Sequence, residues 1–141
     1  MRKSGKGYLD WLGKRRNERR NHESYVRKVG SLSESVDLAE KIDGLTETFA
    51  TRGNCHLVDQ LRRASLSISL NIAGGNGRWR ANDRKNFSRI ARGSAFECVP
   101  VLELCKRKKL ITQESYVALK AELEILSKML SALIKGTDKR E

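Results

Sequence analysis

The sequence contains little of what several large protein classes need. Its 141 residues include one proline, two histidines and three cysteines, and only 6% of them are aromatic. Sandwiches and barrels use many turn residues and aromatic cross-strand pairs, so this composition disfavours an all-β fold. The odd number and unpatterned spacing of Cys55, Cys98 and Cys105 indicate small core thiols rather than a disulfide framework.

Long apolar runs are also missing. No stretch approaches the roughly 18 apolar residues that a membrane span needs, and the first six residues lack the apolar segment of a signal peptide. We therefore expect a cytoplasmic protein with no membrane partner. A helix lying on a membrane surface is a weak alternative, because residues 14–28 are basic but have almost no apolar face.

The sequence offers no recognisable catalytic or metal-binding motif. Cys98 and Cys105 could share one helix face, but zinc needs two further ligands, and the neighbouring pair Cys55 and His56 lies on another segment. The glycines of residues 74–77 lack the Gly-Lys-Ser/Thr of a phosphate loop, so they predict a helix end and a turn. We expect neither enzymatic activity nor a cofactor nor a metal ion.

Positive charge is what the sequence has in excess. It carries 29 Lys and Arg against 17 Asp and Glu, a formal net charge of +12. Residues 1–30 contribute +7, residues 78–92 contribute +5 and residues 106–109 contribute +4, which leaves −4 for the rest. Concentrated positive charge is typical of proteins that bind polyanions, because each neutralised phosphate releases counterions. Nucleic acid is the leading candidate partner, although a basic run can also be a solvated face or tail.

Apolar residues recur at helical spacing in four segments. The first is predicted to begin at Ser31, because Ser31 and Glu34 match a capping box. Its predicted apolar stripe consists of Leu32, Val36, Ala39, Ile42, Leu45 and Phe49. The second segment spans about residues 56–73 and is predicted to stop at the glycines of residues 74–77.

The third and fourth segments complete the pattern. Asn82 is the predicted N-cap of the third, and Pro100 predicts a kink or a division into two helical pieces. Thr112 is the predicted N-cap of the fourth, which Gly136 ends. Its heptad seam consists of Tyr116, Leu119, Leu123, Leu126, Leu130 and Leu133. These segments predict an all-α, antiparallel up-down four-helix bundle over residues 31–136.

Two segments flank the predicted bundle. Residues 1–30 form a basic N-terminal extension, and residues 137–141 form a short charged tail. The extension is interpreted either as a nucleic-acid-binding arm or as a divergent, poorly ordered start of the first helix.

Several motifs in order resemble one known family. They are residues 60–73 (QLRRASLSISLNIA), Gly75, residues 82–87 (NDRKNF), residues 90–97 (IARGSAFE) and residues 128–134 (KMLSALI). Together they resemble the four-helix-bundle family of ribosomal RNA intervening-sequence proteins, over about residues 31–136. The sequence departs from that family at Gly74, where the family usually has Glu, and in residues 1–30.

The resemblance implies a function that composition alone does not. Members of the family include proteins encoded inside insertions of large-subunit ribosomal RNA genes. They are similar in fold to the accessory variability proteins of diversity-generating retroelements, which form a basic, barrel-like homopentamer that binds nucleic acid and a reverse transcriptase. The resemblance therefore implies a non-enzymatic, pentameric nucleic-acid-binding protein. The alternative is a basic scaffold for a reverse transcriptase and its template RNA.

Basic side chains interleaved with an aromatic residue favour RNA over DNA, because unpaired RNA exposes its base faces. The candidate nucleic-acid-binding residues are Arg15, Arg16, Arg19, Arg20, Arg62, Arg63, Arg78, Trp79, Arg80, Arg84, Lys85, Arg89, Arg92, Lys106, Arg107, Lys108 and Lys109. Trp79 has two interpretations at this point. It is either a stacking platform for an unpaired base or a buried anchor beneath the glycine-rich turn.

Overall fold

Four α-helices make up the part of the chain that the computed structural model describes, residues 4–49 and 52–138. They are α1 (Ser4–Thr46), α2 (Cys55–Asn76), α3 (Ala81–Arg107) and α4 (Gln113–Asp138). α1 packs against α2 and α4, and α3 packs against the same two helices. Short connections make consecutive helices antiparallel. The predicted all-α four-helix bundle is confirmed, and none of the described helices is long and apolar enough to cross a membrane.

The core runs along the axis of this bundle. Its fully buried side chains include Ile42, Leu61, Ile68, Ala95, Leu102, Leu123, Leu126 and Leu130. Cys98 and Cys105 are part of it, as predicted, and burial raises the pKa of Cys98 to about 12 and raises that of Cys105 as well. Cys55 is exposed at the start of α2, so its assignment to the core is wrong.

The inward face of α1 differs from the predicted stripe. Val36 is 51% exposed, whereas Ser31 and Ser35 are fully buried in line with Leu38 and Ile42. The Ser31 hydroxyl donates to the Lys28 carbonyl at 3.0 Å, and the Ser35 hydroxyl donates to the Leu32 carbonyl at 2.7 Å. Serines paired with their own helix backbone can be buried without loss of hydrogen bonds. Ser31 therefore lies inside α1, and the predicted capping box is wrong.

The glycine-rich segment ends α2 as predicted, but only at its last glycine, because Gly77 is the C-cap. Gly74 and Gly75 are both helical, and α2 continues to Asn76. A Cβ atom at Gly74 would lie 2.9 Å from a ring carbon of Phe87, and one at Gly75 would lie 3.0 Å from the Phe87 Cβ. The two glycines therefore let the first turns of α3 approach α2 closely. The same approach explains why a Glu at position 74 would require Phe87 to move.

We expect Gly75→Val to destabilise the bundle by about 1–3 kcal/mol, because the added carbons must push α3 away from α2 at Phe87. The matched control is Gly93→Val in α3, where nothing lies within 4 Å of the added Cβ. That change should alter the free energy of unfolding by no more than about 0.5 kcal/mol. Urea denaturation measures both values, and equal stabilities of the two variants would contradict the proposed close approach.

The ends of α3 and α4 agree with prediction in part. α3 begins at Ala81 with Arg80 as its N-cap, so the assignment of the N-cap to Asn82 is wrong by two residues. α3 continues through Pro100 as one helix. The backbone N–H of Ser115 donates to Thr112 Oγ1 at 3.1 Å, which confirms the predicted N-cap of α4. α4 passes Gly136 and reaches Asp138, so Gly136 does not end it.

Candidate nucleic-acid interface

The most unusual element is the N-terminal part of α1. α1 has 43 residues, about 64 Å of helix, whereas α2, α3 and α4 have 22 to 27. Every side chain of residues 5–23 is exposed except that of Leu12, which is half-buried. We call residues 5–23 the arm. The helix crosses the predicted boundary between residues 30 and 31 without a break, so the arm is a continuous helical extension of a bundle helix.

Side chains within the arm contact one another along its surface. The rings of Tyr8 and Trp11 stack with centroids 6.0 Å apart. The Arg15 guanidinium lies 4.6 Å from the centroid of the Trp11 ring. Such pairs at three and four residues stabilise a helix that has no partner helix. Arg15, Arg16, Arg19 and Arg20 are all exposed on this arm, as a nucleic-acid-binding surface requires.

The loop between α2 and α3 holds Trp79 away from the protein. One nitrogen of Arg84, Nη1, donates to the backbone carbonyls of Arg78, at 3.2 Å, and Trp79. The Arg78 guanidinium lies 4.9 Å from the centroid of the Phe87 ring. These contacts hold both sides of the loop, and the Trp79 side chain is 96% exposed. The interpretation of Trp79 as a buried anchor is therefore wrong.

The cations farther along α3 are not all available. Arg78, Arg80 and Arg89 are exposed. Arg92 is half-buried and donates from Nη1 to Ser131 Oγ of α4 at 3.1 Å. Lys85 lies two turns before Arg92 on the same side of α3, the side that meets α4, and it is 8% exposed. Lys85 is therefore buried in the monomer and, unlike Arg89, is not on the exposed surface of α3.

Two predicted basic segments meet at one end of the bundle. The arm leaves the bundle where α2 ends and α3 begins, and Arg20 lines the same cleft as Asn76 and Arg84. We call this region, residues 15–28 together with residues 76–84, the basic end.

The other predicted cations lie toward the opposite end. Arg62 pairs with Asp43 of α1 at 2.8 Å, and its neighbour Arg63 is exposed. Residues 106–109 close α3 at the far end, where Lys106 and Arg107 bind Glu103 at 3.0 and 3.1 Å. Lys108 and Lys109 are exposed. The structure therefore does not bring these cations together with the basic end.

Glu103 organises the contact between α3 and α4 at the far end. Its hydrogen bond with Lys106, assisted by those with Tyr116 and Arg107, lowers the pKa of this carboxyl from 4.5 to about 2. Lys106 also lies 4.2 Å from the centroid of the Tyr116 ring. Lys106 and Arg107 are thus part of a structural ion-pair cluster.

The lowered pKa of Glu103 predicts a pH-dependent effect of Glu103→Gln. The ionised carboxylate stabilises the fold above pH 4.5, and this contribution is lost as the pH falls toward 2. We expect the variant to be less stable than the wild type at pH 7 and the difference to shrink steadily below pH 4.5. Thermal unfolding midpoints between pH 7 and pH 2.5 measure it. A difference that is constant across this range would contradict the assigned role.

Sequence reasoning missed two cations of the basic end, Arg27 and Lys28. Both line the same cleft as Arg20 and Arg84. The spacing of seven residues between Arg20 and Arg27 places both on one helix face and could have identified Arg27. Within residues 4–49 and 52–138, no group of three or more His, Cys, Asp or Glu side chains is placed to hold a metal ion.

Comparisons with known proteins agree with this architecture. A solved structure of a protein with unknown function from the S23 ribosomal protein family of Bacteroides thetaiotaomicron is similar in fold, with a TM-score of 0.72 and 24% sequence identity. The match covers 77% of this chain and 98% of that one. No curated protein matches the chain. The family model of the 23S rRNA-intervening sequence protein matches residues 27–132, which begin just after the arm. The chain belongs to the 23S rRNA-intervening sequence protein family.

Proposed function

We propose that the protein is a non-enzymatic RNA-binding protein whose basic end contacts unpaired RNA. The observation that carries this proposal is Trp79, a 96% exposed indole held on a loop between Arg78 and Arg80. An exposed large aromatic side chain gains little from packing in the monomer, and a stacked base would cover one face of the indole. Flanking guanidinium groups neutralise the adjacent phosphates and can stack themselves.

The arm adds a second, continuous set of phosphate contacts. Within two turns, α1 presents Arg15, Arg16, Arg19 and Arg20, and it leaves the bundle at the same end as Trp79. A ligand bound at Trp79 can therefore extend along the arm without passing around the bundle. Phosphate contacts supply affinity and the stacked base supplies preference for single strands.

The preference for unpaired RNA is tested by fluorescence anisotropy with three labelled ligands of equal length: single-stranded RNA, single-stranded DNA and fully paired RNA. We expect the single strands to bind more tightly than the duplex, because a paired base cannot stack on Trp79. If the single-stranded RNA binds more tightly than the single-stranded DNA, the result supports RNA as the ligand. Absence of binding to all three at about 50 mM salt, where backbone contacts are strongest, would contradict the proposal.

The proposal includes homo-oligomerisation, for which exposed apolar side chains are the support. Leu66 and Leu70 lie one turn apart on the outer side of α2, Phe96 is exposed on α3, and Val117 and Ile125 are exposed on α4. Apolar side chains on the outer faces of several helices are typical of subunit contacts. The family resemblance favours a pentamer. Light scattering of the purified chain measures the number of subunits, and a monomer at micromolar concentration would contradict this part of the proposal.

A further inference from the structure

A cleft of about 410 Å³ lies where α1 crosses the basic end. Its walls come from α1, the last residues of α2, the first two turns of α3 and the end of α4. Small-molecule sites usually have volumes of about 300–1,000 Å³, so this cleft is large enough for a ligand of nucleotide size. It is separate from the Trp79 indole, which is not among its walls.

Positive charge dominates the walls of the cleft. Arg20, Arg27 and Lys28 enter from one side of α1, and Arg84 enters from α3. Glu23 is the one carboxylate among the described residues that line it. Cations around a concave site focus a positive potential into it, because the low-dielectric protein of the walls concentrates the field lines there. Such a site selects a ligand of high negative charge.

Hydrogen bonds to the loop between α2 and α3 orient the Arg84 guanidinium for binding an anion. Its Nη1 donates to the carbonyls of Arg78 and Trp79, which sets the plane of the guanidinium before any ligand arrives. The hydroxyls of Ser24 and Ser88 also line the cleft, and they make no hydrogen bond to other described residues. A planar guanidinium beside free hydroxyl donors matches the oxygens of a phosphate group.

We propose that this cleft binds a phosphomonoester, supplied either by the terminal phosphate of an RNA strand or by a free nucleotide. A phosphomonoester carries about −1.5 to −2 charges at pH 7, whereas each internal phosphodiester of a strand carries −1. The net charge of the walls therefore favours a terminal phosphate over the chain interior. This site goes beyond the proposed RNA-binding surface, because it recognises a strand end or a nucleotide rather than the backbone and an unpaired base.

Two comparisons test the cleft with the full chain. In calorimetry, AMP and inorganic phosphate should bind, and adenosine should not. In anisotropy, a single-stranded RNA with a 5′-phosphate should bind at least about fivefold more tightly than the same RNA with a 5′-hydroxyl, as one charge-assisted contact predicts. Arg27→Ala should abolish both discriminations. Arg52→Ala is the matched control, since Arg52 is exposed and lies outside both the cleft and the basic end, so its loss should leave both discriminations intact.

The outcomes separate this site from the RNA-binding proposal. Binding of AMP without binding of either RNA supports the cleft and contradicts the RNA-binding surface. Discrimination by the 5′-phosphate without binding of AMP assigns the cleft to strand ends. Equal binding of the two RNAs, together with no binding of AMP or phosphate, overturns the proposed phosphomonoester site. The proposal is also overturned if Arg27→Ala still distinguishes AMP from adenosine and the 5′-phosphate RNA from the 5′-hydroxyl RNA as the wild type does. Thermal unfolding of both variants verifies that they are folded.

Discussion

Trp79→Ala should weaken the binding of single-stranded RNA about 5- to 150-fold, because stacking of one base on an aromatic side chain contributes roughly 1–3 kcal/mol. The effect should be specific to binding. The side chain is 96% exposed, so its removal should change the free energy of unfolding by no more than about 0.5 kcal/mol. Anisotropy titrations of wild type and variant at one salt concentration measure the ratio of the dissociation constants.

Two controls make the result at Trp79 interpretable. Trp79→Phe retains an aromatic face and should keep most of the affinity. A fully paired RNA offers no base face to the indole, so Trp79→Ala should bind it about as well as the wild type does. If Trp79→Ala binds single strands as tightly as the wild type does, the proposed stacking of a base on Trp79 is contradicted.

The second large effect is expected from the arm. Replacing Arg15, Arg16 and Arg19 by Ala should remove about three phosphate contacts and keep the helix, since Ala is the best helix former. The slope of log K against log salt should become shallower by about 2, because each phosphate contact on a single strand contributes roughly 0.7. If the wild type and the triple variant bind RNA equally near 1 M salt, the variant should bind about 100-fold more weakly than the wild type at 0.1 M.

A matched variant separates this effect from a loss of net charge. Arg52, Arg63 and Lys108 are exposed and lie toward the far end of the bundle. Changing these three residues to Ala lowers the net charge by the same amount. We expect nearly the wild-type slope for this variant. If both triple variants lose the same slope, RNA binding is a property of the total charge, and the basic end has no special role.

The helices themselves could be predicted because their apolar residues follow the helical period. The heptad seam of α4 is buried from Tyr116 to Leu130, as its spacing predicts. The prediction was wrong where burial did not depend on apolar character. Ser31 and Ser35 lie inside because their hydroxyls bond to carbonyls of their own helix, a solution that a search for apolar stripes cannot detect.

The length of α1 also could not be predicted from the pattern of apolar residues. The arm has almost no apolar face to mark it as helical, and it is helical because it continues a turn already fixed by packing. Adding residues to an existing helix avoids the cost of nucleation. Gly74 and Gly75 were expected to lie beyond the end of α2. Only the position of Phe87 shows why glycine is needed at these two helical positions.

The sequence predicted which segments of the candidate site are basic, but not where they lie in the fold. Composition identified three basic segments, but only the fold brings the arm to residues 76–84 and leaves residues 106–109 at the far end. The sequence could not decide between a buried and an exposed Trp79, because that depends on how Arg84 holds the loop. Lys85 and Arg89 look alike in sequence, and only one of them is exposed.

The most direct test of the central claim is the salt dependence of single-stranded RNA binding by the wild-type chain. The measured quantity is the slope of log K against log salt, by anisotropy from 50 mM to 500 mM. Contacts from the arm and from Arg78, Arg80 and Arg84 predict a linear decline with a slope of about −3 to −5. Weak binding with a flat slope would contradict an RNA-binding basic end.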